Sequence, residues 1–258
     1  MTSIDLNADI GEAEDPAGIE SELAILQYVS SVNIACGGHR GDEHSMRRMV
    51  QGALENTIQI GAHPSYPDRE NFGRVSKALG QDIDENALRQ SLSAQIKALI
   101  DIAASEGGQV SYVKPHGALY NDSVHSAAHA GLIASVISKF GLAFMGAPNS
   151  QMTEAARRYT LTFIPEGFID RRYTDDGHLQ SRAIDGAVIK DIQARLNQTT
   201  SLVTRQRVKT ASGQWLTICC DSLCLHGDSA GAVETARLAR EAIEAAGVNI
   251  KAFGDMNG

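Results

Sequence analysis

The sequence predicts an α/β fold in which about seven strand–helix units close, or nearly close, into a β/α barrel. Three observations carry that expectation. Short apolar runs alternate with helix-like stretches nearly throughout, polar glycine-punctuated segments follow the apolar runs, and no linker, low-complexity tract or change of composition divides the chain. At 258 residues the chain is long enough to bury the core of a barrel, and one domain over residues 1–258 is expected.

The elements follow in order. "SIDLN" reads as the first strand and runs into "NADIGE"; "SVNIAC" reads as the second and runs into "CGGHRGD". The helix-like "DEHSMRRMVQGALENT" precedes "IQIGA", which opens into "HPSYPDRENFGR". In "DENALRQSLSAQIKALIDIAASEGG", Leu88, Leu92, Ile96, Leu99 and Ile100 recur at three- and four-residue spacing, the stripe of a packed helix, and the glycines stop it. "VSYVK" leads into "KPHGALYN", with the helix "SAAHAGLIASVISKFG" beyond it; "LAFMG" leads into "APNSQ", and "LTFIP" into "EGFIDRRY". "DGAVIKDIQARL" looks helical and "LVTRQRVKTASGQWLTICC" reads as a hairpin excursion. "SLCLHG" is then the last barrel strand, and "SAGAVETARLAREAIEAAG" the last helix.

Composition narrows the function. A net charge of −8 argues against a nucleic-acid or anionic-membrane surface, so cations that bind an anionic substrate must be local. The four cysteines, Cys36, Cys219, Cys220 and Cys224, lack the two matched pairs of a structural zinc site and read as reduced thiols. The first residues carry acids where a secretion signal needs a basic and then an apolar run, and no apolar stretch approaches the ~18 residues of a membrane span. A soluble cytoplasmic protein is expected, with a small-molecule substrate and neither nucleic acid nor membrane as partner.

Chemistry gathers at the C-terminal ends of the strands, which a barrel brings to one rim. In "DLNAD", Asp5, Asn7 and Asp9 recur at period two, so an extended strand points all three to one face and Leu6 and Ala8 to the other. His39, His63, His116 and His226 each fall just after a strand, in company with Asp9, Asp42 and Asp228, a combination suited to acid/base or metal work. Asp9, His39 and His63 could form a metal triad, although no local signature such as "HExxH" marks one, and a divalent metal stays open. His44, His125, His129 and His178 read as surface residues. Lys114, Arg171 and Arg172 bring positive charge to the same rim, with Arg40 and Arg74 nearby; the alternative is that Arg171 and Arg172 pair with Asp170, Asp175 or Asp176. Cys36 reads as buried rather than nucleophilic. No phosphate-loop, dinucleotide-binding or nucleophile-elbow motif is present.

"DLNADIGE", "SVNIACGGHRGD", "GAHPSYPDRENFGR", "VKPHGALYN", "EGFIDRRY" and "LCLHGD", in that order, resemble the LamB/YcsF family, with departures at Gly38, Arg40 and Asn71. The resemblance implies a (β/α)7-type barrel of the glycoside hydrolase/deacetylase kind. It also implies a component of an ATP-dependent 5-oxoprolinase, acting with two partner subunits to open 5-oxoproline (pyroglutamate) to L-glutamate, with ATP as the cofactor. On that reading Asp9, His63, Lys114 and His116 are catalytic. Asp5, Asn7, Glu12, Asn33, His39, Asp42, Asn121, Glu166, Asp170, Arg171, Arg172, His226 and Asp228 bind substrate or phosphate. The alternatives are a metal-dependent deacetylase or amidohydrolase, and a non-catalytic substrate-binding subunit.

Overall fold

The computed structural model describes residues 2–227 and 231–254. Seven parallel strands close on one another: β1 (Ser3–Ile10), β2 (Ser31–Ala35), β3 (Gln59–His63), β4 (Val110–Val113), β5 (Ala143–Gly146), β6 (Phe163–Phe168) and, after a two-stranded antiparallel excursion of β7 (Arg207–Lys209) and β8 (Trp215–Thr217), β9 (Ser222–His226). Closure is made by β1, which pairs with β2 on one side and β9 on the other, while β9 also pairs with β6. β10 (Asn249–Ile250) adds to the beginning of β1 at the opposite end from the site. The barrel is the one the sequence predicts, each strand falling within or overlapping its expected run.

Helices α1 (Pro16–Ile25), α2 (Glu43–Glu55), α3 (Glu85–Ser105), α4 (Gly117–His125), α5 (Ala127–Ile137), α6 (Gln151–Arg158), α7 (Ile192–Arg205) and α8 (Ala232–Ala245) surround the strands. The outward residues of β1, Leu6 and Ala8, join the core between barrel and helices, where the α3 stripe of Leu88, Leu92, Ile96 and Leu99 also lies. The inward residues Asp5, Asn7 and Asp9 face the barrel interior instead, where they meet Ser31, Asn33 and Ser222 on the neighbouring strands. Two sequence expectations change. "DGAVIK" is not helical: Val188 bridges to Arg171 in extended conformation, and α7 begins only at Ile192, behind its cap Asp191. The helix then runs on to Arg205, so the hairpin is confined to its last part, where Arg207 stacks on the exposed Trp215.

Two local devices fix the rim. The turn leaving β1 is held by Glu22 of α1, whose carboxylate accepts from the backbone N–H groups of Gly11, Glu12 and Ala13 at 3.0 Å each. Gly11 supplies the left-handed conformation that turn needs. Gln95 of α3 does the same for the loop after β3, accepting from the Ser65 N–H and donating to the Ser65 carbonyl. Burial pushes the Glu22 carboxyl up from 4.5 to about 7 against the pull of those three amides.

Two outcomes follow from this packing. The raised Glu22 value means that the folded chain binds the extra proton between pH 4.5 and about 7, so this group's contribution to stability is full below that window and is lost as pH rises through it. Urea unfolding at pH 5 and pH 8 should show a Glu22-dependent loss on the order of 2–3 kcal/mol, and Glu22→Gln should flatten it; an unchanged slope in that variant contradicts the assignment. A Cβ on Gly61 would drive into the Tyr112 ring inside the barrel, so Gly61→Ala should cost about 1–3 kcal/mol in the same assay.

Candidate active site

The strand ends deliver one ionisable or polar group after another to the mouth of the barrel. From β1 come Asp9 and, just beyond the strand, Glu12; from the loop after β2 comes His39. His63 ends β3, Lys114 and His116 follow β4, Glu166 and Phe168 lie on β6, and Cys224 and His226 on β9. Above them opens a cavity of about 490 Å³ with Asp9, His63, Lys114, His116, Glu166 and His226 on its floor.

Lys114 is the hub of that floor. Its Nζ lies 2.8 Å from Asp9 Oδ1, 2.8 Å from Glu166 Oε1 and 2.9 Å from Cys224 Sγ, and the side chain is 2% exposed. The Phe168 ring covers it at 5.3 Å. Burial alone would strip its proton, but Asp9, Cys224 and Glu166 outweigh burial and hold the ammonium well above the ordinary lysine range. Burial likewise raises Asp9, and His63, Lys114 and His226 overcome it, so Asp9 stays ionised. Burial wins at Glu166, which is raised, and its Oε2 has no partner. It wins at Asp5 too, deep in the barrel, where the hydroxyls of Ser30, Ser31 and Ser222 surround the carboxyl.

A second cluster adjoins the first. Glu12 Oε1 lies 2.8 Å from His39 Nε2, 3.1 Å from His116 Nδ1 and 3.9 Å from His63 Nε2. The rings of His39 and His116 stack at 3.5 Å. Burial drives His39 down to about 3, which leaves it a neutral donor to Glu12, and burial also lowers His116. Burial raises Glu12, but His116 and His39 outweigh it and keep the carboxylate ionised. The donor atoms of Glu12, His39, His63 and His116 all lie within 4.8 Å of one another, so this buried cluster could hold a metal ion. Asp9, Cys224 and His226 are similarly close, but the Lys114 ammonium already stands against both Asp9 and Cys224 and leaves that group unsuited to a cation.

Sequence reasoning and structure differ at several positions. The triad Asp9, His39 and His63 does not converge as drawn: His39 turns its Nε2 to Glu12, and the cluster forms around Glu12 and His116 instead. Asp42 is away from the site, because its carboxylate accepts from Ser45 N and caps α2. Arg172 points away as well. Arg171 bridges to Val188, so its neighbour takes the opposite face and lines a shallow depression with Asp185 and Asp191. Asp228 lies outside the described residues. Asp170 stands behind His226, accepting at 2.9 Å from Nδ1; burial raises it, but His226 brings it down to about 2. Asn7 and Asn33 lie beneath the floor, linked to each other at 2.7 Å and to Glu166 and Asp9. Asn121 is exposed at the mouth.

Other residues join that the sequence reading passed over. Tyr120 lines the cavity with its hydroxyl buried and without a partner. Phe168 and Cys224 were within reach of the period-two rule, since each alternates with a residue already singled out, Glu166 and His226. His125, exposed as expected, and the half-buried His178 meet edge to face at the cavity mouth, and Arg182 lines it from the same loop as His178; His129, expected on the surface, is buried between Ser126 and the Lys77 carbonyl. Cys36 is buried, its thiol pushed up to about 12 by burial.

Arg171 is a second buried cation of the cavity, on its wall. It is 4% exposed, donates from Nη2 to the Gln180 carbonyl at 2.7 Å, and leaves Nε without a partner. Among the described residues it has no carboxylate partner, because Asp170 serves His226, Asp175 serves Thr210 and Ser212, and Asp176 serves Thr174. Burial, and then Arg182, lower it to about 10, which still leaves it charged at neutral pH.

Known proteins resemble this arrangement at two levels. A lactam utilization protein from Thermus thermophilus is 33% identical, covering 98% of this chain and 100% of its own, with a TM-score of 0.87. A putative cellobiose-phosphate cleavage protein from Enterococcus faecalis is 12% identical over 99% of this chain and 98% of its own, with a TM-score of 0.58. A family 4 carbohydrate esterase from Streptomyces lividans is also 12% identical, over 100% and 95%, with a TM-score of 0.54. The last two share the fold. The LamB/YcsF family profile matches residues 4–258, and with the sequence motifs and the whole-length likeness to the Thermus protein, the chain belongs to the LamB/YcsF family.

Proposed function

We propose that the chain is a single-domain component of an ATP-dependent 5-oxoprolinase that, with two partner subunits in the cytoplasm, opens 5-oxoproline to L-glutamate. The observation that carries the reading is the pairing of a buried Arg171 on the cavity wall, its Nε without a hydrogen-bond partner, with a floor of acid and base groups. A guanidinium out of water is costly until an anion meets it. The carboxylate of a small cyclic amide suits Arg171, and its ring would then lie over Asp9, His63 and His116. Family membership and the likeness to a lactam utilization protein support the same substrate class.

The chemistry asks for water to add to the ring carbonyl carbon, the C–N bond to break and the nitrogen to take a proton. A lactam carbonyl is a poor electrophile; ATP would make it a better one by phosphorylating the amide oxygen, so that adding the first water and breaking the C–N bond leaves an acyl phosphate, which a second water hydrolyses to phosphate and the carboxylate. Asp9, kept ionised by His63 and Lys114, is placed to accept a proton from water, and His63, 3.3 Å from Asp9 Oδ2, and His116 to orient that water beside it. Lys114 acts here by holding Asp9 and Glu166 rather than by gripping phosphate, since its close contacts are all with the protein. A second reading, a metal-dependent amidohydrolase, draws on the Glu12–His63–His116 cluster and needs no ATP.

The test is 5-oxoproline-dependent release of phosphate and glutamate by the chain mixed with its two partner subunits. Both products should appear in equal amounts, and only in the mixture. Cleavage of an acetylated amine by the chain alone, with no glutamate from the mixture, would move the assignment to the second reading. In the active mixture Asp9→Asn and His116→Asn should lower kcat by about 10²–10⁴-fold. Arg171→Lys should instead act mainly on KM, raising it about 10–100-fold as the planar fork is lost. Asp42→Ala should leave turnover intact and cost about 1 kcal/mol of stability as a lost cap.

A further inference from the structure

Two ring nitrogens in the site face each other with no hydrogen between them that the protein can assign. His63 Nδ1 lies 2.8 Å from the Lys114 carbonyl, and His116 Nε2 lies 3.0 Å from the Phe72 carbonyl. A carbonyl only accepts, so both of these nitrogens carry their ring's hydrogen. In the neutral rings the remaining nitrogens, His63 Nε2 and His116 Nδ1, therefore present lone pairs, and they stand 3.0 Å apart. Glu12 Oε1, another acceptor, lies 3.1 Å from one and 3.9 Å from the other. Three electron-rich atoms turned on one point need a positive species between them.

The surroundings are those of a metal ligand set. Each histidine has its far nitrogen tied to a backbone carbonyl, which fixes the tautomer and the ring orientation. Glu12 is fixed twice over, its side chain by His39 Nε2 and its backbone by the Glu22 carboxylate. Ligands about 2.1 Å from a common ion stand roughly 3–4 Å apart, which is the spacing found here. His63 and His116 line the cavity, so a further position opens toward the substrate space.

We propose that Glu12 Oε1, His63 Nε2 and His116 Nδ1 bind one divalent first-row transition-metal ion, with His39 as the outer residue that orients Glu12. Two imidazoles and a carboxylate with no thiolate select ions of the zinc, cobalt, nickel and manganese group over magnesium or calcium. The open position would hold water or a substrate oxygen. This holds whichever reaction the barrel performs, because it concerns what balances three acceptors.

The experiment uses the full chain, stripped by a strong chelator and dialysed, then titrated with Co²⁺ followed spectroscopically and with Zn²⁺ followed by calorimetry. One equivalent per chain is expected, with visible d–d bands for cobalt. His63→Gln and His116→Gln should each weaken binding by more than about 100-fold, and His39→Gln by about 10–100-fold as an outer residue. Cys219→Ser, which removes the exposed thiol, should bind as the unaltered chain does. A second measurement needs no variant: the ¹⁵N resonances of His63 Nε2 and His116 Nδ1 should both shift on one equivalent of Zn²⁺. Sub-stoichiometric binding, equal affinity in both histidine variants, or unmoved resonances would overturn the proposal and leave the two rings sharing a proton. Glutamate formation by the three-subunit mixture is scored separately, so loss of the metal assignment and loss of the 5-oxoproline reading are distinct results.

Discussion

The mouth of this barrel depends on one buried ammonium. Lys114 leaves β4 and reaches Asp9 of β1, Glu166 of β6 and Cys224 of β9, so a single side chain ties together strands on different sides of the closed sheet. Removing it would leave two carboxylates facing each other out of water, a break of the kind that costs about 3–5 kcal/mol. The same contact sets the chemistry. With His63 and Lys114 beside it Asp9 stays ionised despite burial, while Glu166, on which burial wins, stands raised on the other side of the same ammonium. Two carboxyl groups on one cation are thus pushed apart in acidity, an arrangement that separates base from acid within one site.

Beneath this hub the barrel is filled differently from one packed with branched aliphatic layers. Asp5 sits among three serine hydroxyls, and Asn7 joins Asn33, Ser222 and Glu166. Each of these bonds crosses from one strand to another, so a slip of register by one residue would turn the polar set into the helix-facing core and leave it unsatisfied. The polar column fixes the height at which Asp9, His63 and Lys114 arrive at the rim, which aliphatic packing alone would hold less strictly.

How much of this was legible in the sequence depends on the range of the interaction. Asp5, Asn7 and Asp9 could be read as one face, because a strand's period of two is local and the residues between them are apolar. The strands and the α3 stripe were legible for the same reason. Asp42 shows the limit. It lies close behind His39 in the chain, but Gly41 in the left-handed region turns the backbone away and Asp42 closes the first turn of α2. Arg171 and Arg172 cannot be told apart by charge; the bridge to Val188, well beyond them in the chain, decides which one faces inward. Glu22 was hidden because a buried carboxylate on an otherwise outer helix has no periodic signature, and His178 and Arg182 because a loop's path over the cavity is set by the walls it meets.

That loop also gives a chain of net charge −8 the local positive charge that the proposed anion site asks for. Arg171 stands at its start and Arg182 further along it, and Tyr173 bridges to Leu179 to fold the segment back on itself. Burial, and then repulsion from the Arg182 guanidinium on the same wall, bring Arg171 down to about 10 without discharging it. On the reading proposed above, a carboxylate or phosphate in the cavity would offset the cost of keeping that guanidinium out of water, and the offset would appear as affinity. On that reading, selectivity of the wall for charge and readiness of the floor for proton transfer come from the same choice, ionisable groups kept out of water and matched either by one another or by the substrate.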